Sequence, residues 1–386
     1  MDTSARQKAL RFVVSLGIVS LFADLTYEGG RSIIGPYLAS LGAGALFAGT
    51  VAGFGEFLGY AIRLGSGRFV DRTHRHWAVM IAGYTVNMIS VPALALASTP
   101  WLAGLLVFTE RLGKGARVPA RDALLSHAGH ELGHGKAFGL HEFLDQLGAI
   151  LGPLLVSAAV AYSGYRLGFG VLAVPALLAL VFLWRARGIE GGGREDARDV
   201  RSRFDKRYFL YLAFSVVSVL GFAHFILVGY HLGITHRLSP AQIPLVFGLA
   251  MGVDALAALA SGWLYDRLGL KVLTALPLLT LPAIPLLFLA RSPSYIWLGA
   301  AFWGAALGVQ ESTMRAGVAT LTPRAVRGTA FGIFDASFGL AWLIGSLLLS
   351  ALYRVSPAAL VTGAVIFQVA ALPLLWLTVR GAKHAA

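Results

Sequence analysis

Long apolar stretches alternate with short polar connections along most of the chain. A helix needs about 20 apolar residues to cross the hydrocarbon core of a bilayer. The stretches that reach this length are residues 12–38, 44–66, 77–97, 101–124, 137–161, 166–184, 208–234, 241–264, 272–290, 294–320, 328–352 and 357–379. The pattern predicts an all-α membrane protein with twelve transmembrane helices, called spans 1 to 12 below. We therefore expect a multi-pass protein of the cell membrane.

One connection differs from the others in length and composition. Residues 185–207, RARGIEGGGREDARDVRSRFDKR, are polar, charged and rich in glycine, which is typical of a flexible linker. This linker divides the chain into an N-terminal six-helix bundle, residues 1–184, and a C-terminal six-helix bundle, residues 208–386.

Lysine and arginine in the connections predict the orientation, because short cytoplasmic loops are enriched in both. The connections on one side of the predicted membrane hold most of these residues. Those on the other side hold Arg166, Arg237, Arg291 and Arg354. The linker and both chain termini are therefore expected in the cytoplasm.

The two halves repeat each other. The segment GRFVDRTHR at 67–75 follows span 2, and GWLYDRLGLK at 262–271 follows span 8. Similarly, AFGLHEFLDQLGAILGP at 137–153 opens span 5 and AFGIFDASFGLAWLIGS at 330–346 opens span 11. Two parallel six-helix repeats form one of the known transporter architectures, with the substrate site in a central cavity near the bilayer midplane.

These repeated segments carry a resemblance to the major facilitator superfamily over essentially the whole chain. Residues 67–75 resemble its G-x-L-x-D-R-x-G-R-[KR] loop, with Gly67, Asp71 and Arg72 in place. Residues 111–115 resemble the R-x-x-Q-G motif of proton-coupled drug exporters, with Lys114 replacing Gln. The span 5 motif G-x-x-x-G-P, associated with antiporters, is matched by Gly148, Gly152 and Pro153.

The resemblance implies a secondary active transporter that works by alternating access. Proton-coupled efflux of a drug or metabolite is the function it favours most. A proton-linked uptake symporter stays open, because the glycine pair that follows the span 5 motif in antiporters is absent here (Val156, Ser157). A membrane receptor that transports nothing is a distant alternative.

Composition supports a membrane protein and excludes several other classes. The chain is 57% hydrophobic and 13% charged, whereas a soluble domain has about a quarter charged residues. It contains no cysteine, so it has no disulfide or thiol chemistry. The net charge of +13 is explained mainly by the basic cytoplasmic connections, and no nucleic-acid partner is expected.

Charged residues inside the spans are unevenly distributed, and charge at bilayer depth must face the bundle interior or water. Apart from Arg166 at the first position of span 6, spans 3, 6, 9 and 12 contain none. Spans 1, 4, 7 and 10 contain Asp24, Glu28, Arg31, Glu110, Arg111, Lys114, Arg117, Arg121, Asp122, Glu311 and Arg315. Spans 2, 5, 8 and 11 contain Glu56, Arg63, Glu142, Asp145, Asp254 and Asp335. The first set is predicted to line a wet central cavity and the second to flank it.

Buried carboxylates near the midplane are the candidates for proton coupling, because burial and neighbouring charge can bring their titration into the working range. Asp24 is the first choice, Glu28 the second and Glu56 the third. Helix rise places Asp24 at about the depth of Arg111. The alternative is that Asp24 and Glu28 form structural ion pairs with Arg31 or Arg111.

Further side chains in the same spans are candidates for contact with substrate. His224 and His231 could form a proton relay or be ordinary core histidines. The charge of the substrate stays open, because the acids of span 1 could neutralise the basic face of span 4. The predicted cavity residues are Tyr27, Arg31, Arg111, Lys114, Arg117, His224, Gln310 and Glu311.

A cytoplasmic gate is predicted where charged residues of spans 4 and 5 approach the repeated loop. Such residues can form breakable salt bridges that close the inner side. The candidates in the first half are Gly67, Asp71, Arg72, Arg121, Asp122, Glu142 and Asp145. Their counterparts in the second half, Asp266, Arg267 and Asp335, are either a second gate or simple anchors.

The segment HELGH, residues 130–134, fits the zinc-protease pattern H-E-x-x-H. That pattern needs one helix carrying both histidines, a third ligand and a cleft. Here the surrounding glycines predict a loop instead, so neither a metal site nor enzymatic activity is expected.

No nucleotide-binding loop occurs in the sequence either. We expect no cofactor and a proton gradient as the energy source. The expected partners are a small-molecule substrate, protons and the lipid bilayer, and the protein is expected to be monomeric.

Overall fold

The computed structural model describes residues 3–189, 205–323 and 326–380, and within these ranges it contains helices and turns but no strand. The α-helices are α1 Thr3–Ser40, α2 Ala45–Thr73, α3 His76–Ala93, α4 Pro100–Leu132, α5 His134–Gly170, α6 Ala173–Arg187, α7 Lys206–Leu220, α8 Phe225–Thr235, α9 Gln242–Leu268, α10 Ala275–Phe288, α11 Pro293–Leu321, α12 Arg327–Val355 and α13 Pro357–Arg380. Short 3-10 turns cover Leu94–Leu96 and Gly269–Thr274. The predicted all-α class is confirmed.

Eight helical segments within the described residues are long and apolar enough to cross a membrane. Two of them, Lys136–Arg187 with 52 residues and Gln242–Phe288 with 47 residues, are much longer than one crossing requires. Most of the predicted linker, residues 190–204, lies outside the described residues.

The repeated motif segments are more helical than predicted. Helix α2 continues through the predicted loop to Thr73, and His74 then adopts a left-handed conformation with φ 53°. Helix α9 likewise continues to Leu268. Polar residues do not end a helix when its backbone hydrogen bonds continue, so these helices extend past their apolar portions.

Predicted span 7 is instead interrupted. Helix α7 ends at Leu220 and α8 begins at Phe225. Gly221 lies so close to α13 that a Cβ atom there would be 2.8 Å from the carbonyl oxygen of Ala364. His224 caps α8, because its Nδ1 accepts a hydrogen bond from the backbone N–H of Ile226 at 3.1 Å. A histidine ring inside an apolar run thus marks a helix start, which periodicity alone does not reveal.

The chain forms two compact units. The first comprises Met1–Gly42, Leu58–Glu195 and Ser239–Gly248, and the second comprises Ala43–Phe57, Asp196–Leu238 and Leu249–Ala386. Helices α2 and α9 therefore each contribute to both units.

In the first unit, α1 and α5 approach each other to backbone contact. A Cβ atom on Gly148 would overlap the carbonyl oxygen of Leu21 and lie 3.0 Å from the backbone nitrogen of Leu25. A Cβ on Gly152 would lie 2.9 Å from the nitrogen of Gly29. The span 5 motif therefore has a direct packing role, since small residues four apart let membrane helices pack closely.

The second unit contains the same kind of close glycine packing between α9 and α11. Gly304 lies against the backbone of Ala250, where an added Cβ would be 2.8 Å from the Ala250 Cα. Gly308 lies against the backbone around Asp254 and Ala258. Each unit therefore contains at least one pair of helices whose separation is set by glycines rather than by side chains.

Replacing Gly148 with alanine should destabilise the protein by about 1–3 kcal/mol, because the added methyl group must push α1 away from α5. The matched control is Gly139→Ala in the same helix, where an added Cβ meets nothing within 4 Å. That change should be neutral or stabilise by up to about 1 kcal/mol. Thermal unfolding of the two variants in detergent would test this, and equal melting temperatures would contradict the packing role.

Candidate functional site

Helix α1 presents its charged residues to α4 in the first unit. Asp24 and Glu28 are buried, with 7% and 6% of their surfaces exposed. An oxygen of Asp24 lies 3.7 Å from a guanidinium nitrogen of Arg117. Glu28 lies 3.5 Å from Arg31 on its own helix and 3.8 Å from the Lys114 Nζ. Later residues of α1 thus meet earlier residues of α4, as expected for antiparallel neighbours.

The ion pair of Asp24 differs from both pairs considered from the sequence. Its partner is Arg117 rather than Arg31 or Arg111. The depth estimate assumed straight helices along the membrane normal, whereas packed helices tilt. That assumption places Asp24 opposite Arg111, about one and a half turns away from its observed partner along α4.

Aromatic rings complete the surroundings of these cations. The Lys114 Nζ lies 3.3 Å from the ring centre of Tyr27, and the Arg111 guanidinium carbon lies 5.0 Å from it. Arg117 stacks on Tyr84 at 4.0 Å. These are cation–π distances, and desolvation strengthens such contacts. Tyr27 is therefore a shared neighbour of two predicted cavity cations.

A second layer of buried polar groups supports α4. Glu110 lies 3.5 Å from Arg111 and accepts a hydrogen bond of 2.7 Å from the Asn87 amide. Asn87 is fully buried on α3. Sequence reasoning treated span 3 as uncharged and overlooked this amide. Asn87 is the only amide side chain in predicted span 3, which could have marked it in the sequence.

The structure divides the predicted first-half gate residues between two environments. Asp71, Arg72 and Glu142 are exposed, and Gly67 is half-buried. Arg121 pairs with its neighbour Asp122 at 2.9 Å. Asp145 lies against α1, where it accepts a hydrogen bond from the Ser20 hydroxyl, one turn before Asp24. Asp145 therefore lies next to the α1 charge cluster, and the gate role of all these residues stays a prediction.

In the second unit, Glu56 of α2 meets the start of α8. The His224 Nε2 lies 3.2 Å from a Glu56 oxygen. Because Nδ1 already accepts from the Ile226 N–H, Nε2 must carry the hydrogen and donate it to Glu56. His231 contacts a different partner, the Tyr353 hydroxyl, at 2.6 Å. His224 caps α8 and His231 lies within it, and each histidine has its own partner.

The remaining predicted residues of the second half are spread over α9, α11 and α12. Gln310 is buried on α11, whereas Glu311 is exposed. Arg315 lies 3.3 Å from Asp335 in an exposed pair. Asp266 is exposed at the end of α9, and the neighbouring Arg267 stacks on Trp263 at 3.7 Å. These contacts occur near helix ends and do not form a charge cluster like that of the first unit.

The HELGH segment falls on two helices rather than in a loop. Helix α4 continues to Leu132, Gly133 has a φ of 90°, and α5 starts at His134. The side chains of His130 and His134 lie outside the description. Among the described residues, no group of three or more His, Cys, Asp or Glu side chains could hold a metal ion.

Buried, paired charges on membrane-spanning helices are typical of transport proteins, and comparison with known proteins identifies the family. The family model of the Major Facilitator Superfamily matches residues 16–235 and 209–386. The chain belongs to this superfamily. It is a transporter rather than an enzyme, and a multi-pass protein of the cell membrane.

Similar proteins cover the chain to different extents. An uncharacterized protein of Mycobacterium tuberculosis is 41% identical over 380 residues, which is 95% of this chain and 93% of that protein. Multidrug resistance protein MdtG of Enterobacter lignolyticus is 24% identical over 203 residues, 52% of this chain and 48% of that protein. The crystal structure of nucleoside transporter NupG has the same fold, with a TM-score of 0.74 at 13% identity, covering 96% of this chain and 98% of that chain.

Replacing Arg117 with methionine should destabilise the protein by about 3–5 kcal/mol, because it leaves the Asp24 charge buried without its ion-pair partner. Arg315→Met is the control, since the Arg315 side chain is 51% exposed and such pairs contribute about 0–1 kcal/mol. Unfolding of both variants in detergent would measure the difference. Adding Asp24→Asn to Arg117→Met should restore most of the lost stability, and an additive further loss would contradict the pairing.

Proposed function

We propose that the protein is a proton-coupled secondary transporter that exports a small molecule by alternating access. The observation that carries this proposal is the burial of Asp24 and Glu28 against the cations of α4. A carboxylate in this position can take up and release a proton when neighbouring charges move. The proton gradient is then the energy source, and no cofactor is required.

We further propose twelve membrane crossings with both termini in the cytoplasm. Ser163 and Gly164 depart from helical geometry inside α5, which supports two crossings within the 52-residue segment. The segment of α9 and α10 is long enough for two more. The basic connections support the orientation. The predicted division into two six-helix bundles and the monomeric state belong to the same proposal.

Contacts of α2 within the second unit support a gate on the outer side. A Cβ on Gly53 would lie 2.9 Å from the carbonyl oxygen of Trp342, and Gly49 approaches the backbone at Ser346 in the same way. Both contacts join the first half of α2 to α12. In the proposed orientation this part of α2 is its outer half, and Glu56 and His224 add a hydrogen bond to the contact. An outward-open conformation of the transporter must break these contacts between α2 and α12.

Export is favoured over uptake by two similarities. MdtG, which matches about half of the chain, is named for multidrug resistance. The span 4 and span 5 motifs also resemble those of exporters and antiporters. The acids of α1 accompany the cations of α4, so the cluster favours neither an anionic nor a cationic substrate.

A vesicle experiment tests direction and coupling together. A panel of small organic cations, zwitterions and anions is first screened for a rise in melting temperature, since a ligand that binds the folded state stabilises it. In everted vesicles with an acidic lumen, the best compound should release protons from the lumen, reported by a pH-sensitive dye. Vesicles that carry the Asp24→Asn variant should take up the compound without this proton release.

Two other outcomes would redirect the proposal. Accumulation of the compound in right-side-out vesicles on external acidification would identify an uptake symporter. Movement independent of any pH gradient, in wild type as in the variant, would identify a uniporter and remove the proton from the mechanism. Asp205→Asn serves as the control variant, because Asp205 is exposed at the start of α7, makes no capping hydrogen bond with its side chain and belongs to none of the predicted sites.

A further inference from the structure

Two carboxyl groups lie close together in the α1 charge cluster. The Ser20 hydroxyl donates a hydrogen bond to the Asp145 Oδ1, and Asp24 follows Ser20 by one turn on the same face of α1. The Asp145 carboxyl group of α5 therefore lies beside Asp24. Two neighbouring carboxylates oppose each other's ionisation, so that one of the two groups tends to keep a proton.

The charges around this pair do not compensate two negative charges by direct contact. Arg117 is the ion-pair partner of Asp24 at 3.7 Å. The Lys114 Nζ lies closest to Glu28, and Arg121 pairs with Asp122 at 2.9 Å. Lys114 and Arg121 also act electrostatically on the two carboxyl groups, but each has another acid at ion-pair distance, so that two negative charges here would be only partly compensated.

Close helix packing holds the two carboxyl groups together. Asp145 lies one turn before Gly148 on α5, and Gly148 packs against the backbone of Leu21 and Leu25 on α1. Since the backbones are already in contact there, side-chain repacking cannot separate the helices to relieve repulsion. Two carboxylates confined in this way share a proton until a neighbouring charge changes.

We infer that Asp24 and Asp145 form a carboxyl dyad that binds a single exchangeable proton and is the proton-coupling site. This inference rests on the proposed function and deepens it. It makes Asp145 a member of the proton site rather than of the cytoplasmic gate. It also explains why Ser20, a small polar residue within an apolar run, faces α5.

Charged and titratable groups on each neighbouring helix act on the dyad. The cations of α4 offset the second negative charge that forms when the proton leaves, whereas the nearby acids oppose it. The dyad then releases its proton when the cations approach it, and it takes up a proton when the cations engage other partners. The groups are Glu28 on α1, Tyr84 on α3, Lys114, Arg117, Arg121 and Asp122 on α4, and His141 and Glu142 on α5.

Infrared difference spectroscopy of the purified full-length protein in liposomes tests the dyad without any substrate. A pH titration should show the carbonyl band of one protonated carboxylic acid, which shifts in D₂O and is lost as the pH rises. Asp24→Asn and Asp145→Asn should each abolish the whole band, because the remaining carboxylate stays ionised beside the cations of α4. Asp145→Glu should keep the band, and so should the control Asp205→Asn, which changes an exposed carboxylate at the start of α7.

A band that persists in either asparagine variant would overturn the dyad, as would two independent bands that disappear one at a time. If the asparagine variants fail to fold, Ser20→Ala supplies the test. Loss of the Ser20 donor should raise the midpoint of the wild-type band by about one pH unit, and an unchanged midpoint would contradict the assignment. Proton-driven flux that survives in both asparagine variants would instead refute the coupling role while leaving the infrared result intact.

Discussion

The ion pairs between α1 and α4 are the interactions on which the candidate site depends. A charge within the membrane is expensive unless it is paired or hydrated, and here Asp24 and Glu28 meet Arg117 and Lys114 on an antiparallel neighbour. Cations recur at nearly every turn of α4, as Arg111, Lys114, Arg117 and Arg121, so a shift of one turn would exchange ion-pair partners rather than leave the acids of α1 unpaired.

Comparable helix packing supports different chemistry in the two units. Glycine pairs bring α5 onto α1 in the first unit and α11 onto α9 in the second. The first unit holds a dense buried cluster of acids and cations. The second holds the Glu56–His224 hydrogen bond, a buried glutamine at position 310 and buried Asp254. The two glycine contacts do not join equivalent spans, because α1 and α5 contain spans 1 and 5 whereas α9 and α11 contain spans 8 and 10. Close glycine packing therefore recurs in both units without following the sequence repeat.

The sequence allowed the fold class and the charged helices to be predicted, because both depend on composition over long windows. Apolar length identified the spanning stretches, and the distribution of charge singled out α1 and α4. It did not predict the end of α2 at Thr73 or the break before α8, since these depend on local hydrogen bonds and on close contact at Gly221.

Pairwise contacts between helices were the least predictable part of the site. Depth counted along straight helices placed Asp24 opposite Arg111, while the observed partner is Arg117. Asp145 was predicted at the gate because its position along the chain is close to the cytoplasmic end. Its true neighbours, Ser20 and Asp24, are set by the approach of α5 to α1, and one sequence contains no direct record of that approach.

The connection between α4 and α5 has a mechanical consequence. Gly133 alone separates the two helices, and one residue spans only about 3.8 Å between consecutive Cα atoms. Such a short tether leaves almost no slack for α4 to slide along its axis relative to α5. Any axial displacement of Arg117 must therefore be transmitted to α5, the helix that carries Asp145. The two helices can change their angle at Gly133, but they cannot slide independently along their axes.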